Sequence, residues 1–201
     1  MSKPGAATKA RIEAAALSLF VEQGVDATGI RDISQAVGLS DGALYRHFRS
    51  KDELVWRLFR EGFAGFAAEL ERLASTERRA PHQVEAMVRG LCALYDADSL
   101  LFRFLLLVQH RQLQRVKPGM ANPVESVRAV IARGMKQGEI ASGDPDLATA
   151  MVMGLVLQTA TFKVYGRISR PMTALAPALA EACRRVLGPG RRQARVRRRR
   201  P

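Results

Sequence analysis

The side chains best suited to chemistry lie between Thr28 and Lys51, and the chemistry they suit is hydrogen bonding to a polyanion. Arg31 carries a planar fork of donors that matches the O6/N7 edge of guanine. Tyr45 and His47 are close enough along one short helix to reach neighbouring phosphate oxygens. Lys51, with the backbone N–H groups that open the next helix, can hold another phosphate. Thr28, at an expected helix start, can cap that helix and donate to phosphate as well. Gly42 has no side chain to keep a partner's backbone away. Bond-making chemistry has no comparable set. The chain has no GxGxxG, GxSxG, P-loop or HExxH pattern and no carboxylate pair that stands out as an acid–base couple. His82 and His110 are remote from His47 and lack metal-ligand spacing. The expectation is therefore no enzyme, no cofactor and no metal.

The elements that must position these groups are helical nearly throughout, and no convincing period-2 run occurs. Ile12, Ala15, Ala16, Leu19 and Phe20 make one apolar stripe, closed by Gly24. Thr28 opens a short second helix with Ile30, Ile33 and Val37 facing inward, and Gly38 ends it. Ser40 caps a third helix of about seven residues, whose Leu44 and Phe48 point to the same core. Ser50-Lys51-Asp52-Glu53 reads as a capping box for a long fourth helix. Two short helices joined by a tight turn at Gly38-Leu39 form a helix-turn-helix, in which the second helix enters the major groove.

The combination is specific. Arg11-Ile12-x-x-Ala15-Ala16-x-x-Leu19-Phe20, Gly24, Thr28-Gly29-Ile30-Arg31-Asp32-Ile33-Ser34, and Val37-Gly38-Leu39-Ser40-x-Gly42-x-Leu44-Tyr45-Arg46-His47-Phe48-x-Ser50-Lys51 resemble the TetR family of bacterial one-component repressors. The resemblance implies an all-α fold of about nine helices, with a helix-turn-helix domain at 1–50 and a helical ligand-sensing and dimerisation domain at 51–187. It implies phosphate contacts at Thr28, Tyr45, His47 and Lys51, and base-facing positions at Arg31 and at Asp41, Gly42 and Ala43. Ser40 and Arg46 complete the candidate contacts. Asp41 departs from the lysine or polar residue frequent there; it can accept from a cytosine amino group or simply lower non-specific affinity.

Beyond residue 51 the resemblance is architectural. Pro81, Pro123 and Pro145 suit first helical positions, and Pro171 and Pro177 introduce a last helix that ends near Gly188. An apolar effector pocket draws its candidates from Phe63, Phe66, Met87, Leu91, Tyr95, Arg103, Gln109, His110 and Gln158, with Phe59, Leu105, Met151 and Leu155 as further liners. A Phe or Met stripe at helical spacing equally describes a core. The composition suggests an aromatic or acyl ligand, and Arg103 leaves room for an anionic group. Leu147–Phe162 is apolar on nearly every side, yet short for a membrane span and interrupted by Thr149, Gln158, Thr159 and Thr161. The expectation is a homodimer through the last two helices, about 145–165 and 173–187, on a palindromic double-stranded operator.

Charge alone points elsewhere. The chain has 201 residues, with 32 Lys and Arg against 19 Asp and Glu, a formal charge of +13. Residues 1–50 carry six basic and five acidic residues, and 51–187 carry nineteen and fourteen. Residues 188–201 carry seven arginines and no acid, and are expected to be a disordered tail that strengthens non-specific DNA affinity. Cys92 and Cys183 form no disulfide framework, and the N-terminus has no secretory h-region. A cytoplasmic, nucleoid-associated protein is expected.

Overall fold

A computed structural model describes residues 4–190. Nine α-helices follow in order among the described residues: α1 (Pro4–Gln23), α2 (Ile30–Val37), α3 (Asp41–Tyr45), α4 (Lys51–Ser75), α5 (Ala80–Ala97), α6 (Ser99–Gln112), α7 (Pro123–Lys136), α8 (Pro145–Val164) and α9 (Met172–Leu187). A 3-10 turn, Leu113–Arg115, extends α6. The only bridge of strand type among the described residues is isolated, Ile140 to Pro189. The chain forms two compact units, residues 4–62 with 100–116, and residues 63–99 with 117–190. The sequence boundary at 50/51 marks the end of the helix-turn-helix, whereas the division between units falls within α4.

In the first unit the apolar stripes meet as their spacing predicts. Ile12, Ala16, Phe20, Ile33, Leu44 and Phe48 are all but inaccessible. Each large side chain of this set contributes about 1.5–3 kcal/mol by leaving water. The turn between α2 and α3 needs Gly38, which sits at φ 68° and bonds back to Gln35 O, while Leu39 N–H reaches Ser34 O at 2.9 Å. Ser40 caps α3, accepting from Ala43 N–H at 3.2 Å. α3 is five residues long, shorter than expected, because Arg46 and His47 bend into a turn that brings Phe48 into the core. α6 belongs to this unit: Phe104 stacks on Phe20 at 6.0 Å, and Gly62 of α4 makes room for Leu101. Arg57 ties α4 to Glu13 of α1 at 2.7 Å.

The second unit packs α5 against α9 and α7, and α8 against α7 and α9. Asn122 and Asp144 cap α7 and α8, just before Pro123 and Pro145. Three boundaries differ. α5 begins at Ala80, one residue before Pro81. Pro177 lies inside α9 rather than at its start, leaving Pro171 alone at the boundary. Residues 188–190 are held by the Ile140–Pro189 bridge and by Ala141 N–H bonding to Leu187 O at 3.2 Å. The rest of the arginine-rich tail, 191–201, lies outside the described residues.

Pro171 offers no side-chain acceptor, so the start of α9 is capped from α5. Asp96 accepts from Met172 N–H (3.0 Å), Thr173 N–H (2.8 Å) and the Thr173 hydroxyl (2.7 Å). Burial pushes the Asp96 carboxyl up, but these three bonds and nearby Lys163 outweigh it and hold it below its ordinary value. A depressed carboxylate stabilises the fold above the unfolded value of about 3.9, and that stability is lost as pH falls through the folded value. Asp96→Ala should therefore cost about 1 kcal/mol at pH 7 through loss of the cap, and less at an acid pH below about 3.9, as read from denaturant titrations at the two pH values. An equal loss at both pH values would remove the carboxylate from this role.

Candidate nucleic-acid interface

The helix-turn-helix presents its candidate contacts unevenly. Arg31, Asp41, Gly42, Arg46 and Ser40 are exposed, Tyr45 is 50% exposed, and Ala43 and His47 are half-buried. The side chains of Arg31, Tyr45 and Arg46 have no hydrogen-bond or ion-pair partner among the described residues. A Cβ on Gly42 would meet open space, so nothing in the chain itself requires glycine there.

Two expected phosphate contacts are committed elsewhere. Thr28 is wholly buried, and its hydroxyl donates to Gly24 O at 2.8 Å with Leu19 O at 3.3 Å. The residue that caps α2 is Gly29, whose N–H donates to Asp32 Oδ2 at 2.7 Å. Thr28 thus closes the loop after α1 instead of capping α2, and its hydroxyl is not available to phosphate. Lys51 Nζ donates to Val25 O (2.7 Å) and Thr28 O (2.8 Å), with Asp26 O at 3.4 Å. Three carbonyls satisfy an ammonium that has three donors. The capping box of α4 is also displaced: Ser50 Oγ accepts from Glu53 N–H at 3.1 Å, but the Glu53 carboxylate reaches Arg49 N–H at 2.7 Å.

Sequence reasoning did not single out Ser34. It is 1% exposed, and its hydroxyl donates to Asp41 Oδ1, with Arg31 O at 3.0 Å. The signal was present, because a serine on the inward face of α2 beside Ile33 and Val37 needs a hydrogen-bond partner.

The pocket candidates divide between the units. Phe66, Met87, Leu91 and Tyr95 are buried in the second, with Phe63 half-buried. Met87 lines a hollow of about 350 Å³ with Ala74, Gln83, Ser126 and Val130. Gln158 is exposed on α8, in a different hollow with Met151, Leu155 and Phe162. Arg103, Gln109 and His110 belong to the first unit; His110 is exposed, and Gln109 donates to Leu106 O at 3.4 Å. Arg103 Nε is buried without an acceptor among the described residues. Both cysteines are buried, and burial pushes each thiol up to about 11, so neither is a nucleophile at neutral pH. No group of three or more His, Cys, Asp or Glu that could hold a metal occurs among the described residues.

A packed three-helix body that offers Arg31, Tyr45 and Arg46 free of internal partners defines a DNA-binding protein of the helix-turn-helix class. Residues 12–58 match the family model for bacterial regulatory proteins of the tetR family. The fatty acid metabolism regulator protein of Bacillus subtilis is 23% identical over 175 residues, 83% of this chain and 89% of that protein. The repressor KstR2 of Rhodococcus jostii is 47% identical over 83 residues, 41% of each chain. The fold is that of FadR from Bacillus subtilis, solved in complex with stearoyl-CoA: TM-score 0.70, 21% identity, covering 87% of this chain and 96% of that one. Residues 12–58 thus match a tetR-type DNA-binding domain, and the described chain shares the fold of such regulators.

Proposed function

We propose that the protein is a repressor that binds a palindromic operator as a homodimer in the cytoplasm, on the nucleoid, and is released by a mostly apolar effector of acyl type. The observation that carries this reading is the exposed trio Arg31, Tyr45 and Arg46, without side-chain partners among the described residues, on the helix-turn-helix body. Tyr45, Arg46 and His47 supply phosphate contacts, and Arg31 with the first turn of α3 faces the bases. Lys51 serves the interface by fixing the α1–α2 loop, unless phosphate draws it from its carbonyls. Residues 51–187 sense the effector and dimerise. The stearoyl-CoA held by FadR supports an acyl effector, and the buried, unpartnered Arg103 Nε supports an acidic group on it. The reading is a regulator without an enzymatic activity of its own.

Dimerisation is supported by α8. One face packs against α7 and α9, while Leu147, Met151 and Phe162 remain 45–54% exposed on the other. By length and composition this helix could also cross a membrane. Its internal packing, and the polar Gln158 within the exposed stripe, favour a second copy of the chain as the cover.

Switching follows from differential affinity: effector binds the conformation whose two recognition helices are wrongly spaced for successive major grooves, and operator binds the other. Selection of bound DNA from a random pool tests the reading. It should return an inverted repeat with half-sites about one helical turn or more apart, and stearoyl-CoA should release that DNA. A pool that stays random would overturn operator recognition, and a complex indifferent to stearoyl-CoA would overturn the acyl assignment.

A further inference from the structure

We propose that Asp41 reads a cytosine in each operator half-site and that buried Ser34 aims it. This rests on the operator-binding reading above. Asp41 lies exposed in the first turn of α3, where a carboxylate facing a phosphate-rich duplex is repelled unless a donor meets it. The donor that Ser34 supplies occupies Oδ1 only. Oδ2 has no partner among the described residues. Ser34 is itself fixed, since it is 1% exposed on α2 and has Arg31 O at 3.0 Å on its other side. A serine hydroxyl has one proton, and the carboxylate is the stronger acceptor. The short aspartate side chain is thereby held before DNA arrives, and one oxygen is left to accept.

The major-groove edges then decide which base it takes. Guanine shows two acceptors, and thymine an acceptor and a methyl group; both repel or waste a carboxylate oxygen. Adenine pairs its N6 amino donor with the N7 acceptor, which would lie against the carboxylate. Cytosine shows the N4 amino donor with no acceptor beside it. An aspartate fixed at one oxygen therefore selects cytosine, and its backbone neighbour through Ser34, Arg31, is free to take a guanine.

The test is selection of bound DNA from a random pool by the full-length protein and by its Asp41→Ala, Asp41→Asn and Ser34→Ala variants. Each variant is checked by thermal melting, and binding is measured at one salt concentration. The wild type should prefer cytosine about tenfold at one position of each half-site. Asp41→Ala should flatten that position and no other. Asp41→Asn keeps the acceptor for Ser34 and turns a donor to the base, so its preference should leave cytosine for the acceptor edge of guanine, N7 and O6. Ser34→Ala should keep cytosine with a weaker preference, because an unheld carboxylate must be ordered on binding. Unchanged base preferences in both Asp41 variants would overturn the proposal. So would a loss of affinity spread evenly over all sequences, the signature of a brace between α2 and α3. A wild type that recovers no motif would overturn operator recognition itself, which is a distinguishable result.

Discussion

Met151→Glu combined with Phe162→Glu will leave the protein monomeric in sedimentation and lower its operator affinity by about 10²-fold or more, with the helical circular dichroism unchanged. Both positions are nearly half exposed, at 46% and 45%, so neither charge enters the core of its own subunit. Around them lie Leu147, the small residues Ala150 and Gly154, and a hollow of about 570 Å³ shared with Ile168 and with Val186 of α9. Contiguous apolar surface of this kind marks an interaction site on soluble proteins. Small residues let a facing helix approach closely, and two-fold symmetry would bring each stripe against its own copy. Four unpartnered carboxylates buried at such an interface would cost several kcal/mol, enough to dissociate a dimer at micromolar concentration. A monomer holds one half-site and loses the high effective concentration of its second recognition helix, hence the size of the affinity loss. A double variant that still sediments as a dimer would place the subunit contact elsewhere.

The helix-turn-helix was legible because its signals are local. Gly38 and Ser40 act within four residues of themselves, and the period of Ile33, Val37, Leu44 and Phe48 is the period of the helices that carry them. Thr28 was ambiguous because the same hydroxyl can cap the helix that follows or close the loop that precedes. Burial of the loop after α1 decides for the second. Lys51 was read as a phosphate ligand from its place at the start of α4. Its captors, Val25 and Thr28, lie more than twenty residues upstream and become neighbours only once α1 and α4 have packed. Ser34 shows the opposite case, in which a polar residue breaks an inward stripe and thereby announces a partner, though not which one. The partners of Asp96, Met172 and Thr173, lie more than seventy residues downstream and meet it only once α5 and α9 have packed. In each of these cases the residue type was informative and the missing quantity was a tertiary neighbour.

The same distinction governs α6, whose sequence places it in the middle of the chain and whose packing places it with the DNA-binding helices. Phe104→Ala is expected to destabilise the first unit by about 3–5 kcal/mol, the usual cost of emptying a core site of this size. At a temperature where the wild type remains folded, it should also abolish operator binding, although Phe104 lies far along the chain from Arg31. Phe104 is fully buried and stacks on Phe20 of α1 at an interplanar angle of 22°. Its loss leaves a cavity beneath the helix that supports α2. Two ion pairs hold the C-terminal end of α6 and the turn after it, Arg111 to Asp26 at 3.5 Å and Arg115 to Asp52 at 3.0 Å. Both are solvated and worth at most about 1 kcal/mol each, so they cannot replace the aromatic contact. The chain's single tryptophan provides the readout, because Trp56 stands in this unit with the Arg115 guanidinium 4.5 Å above its ring. Melting followed by Trp56 fluorescence should shift to lower temperature in Phe104→Ala and stay within about 0.5 kcal/mol of wild type in Leu107→Ala, a 53% exposed position on the same helix. Coincident Trp56 transitions in the Phe104→Ala protein and the wild type would show that α6 does not support the DNA-binding helices.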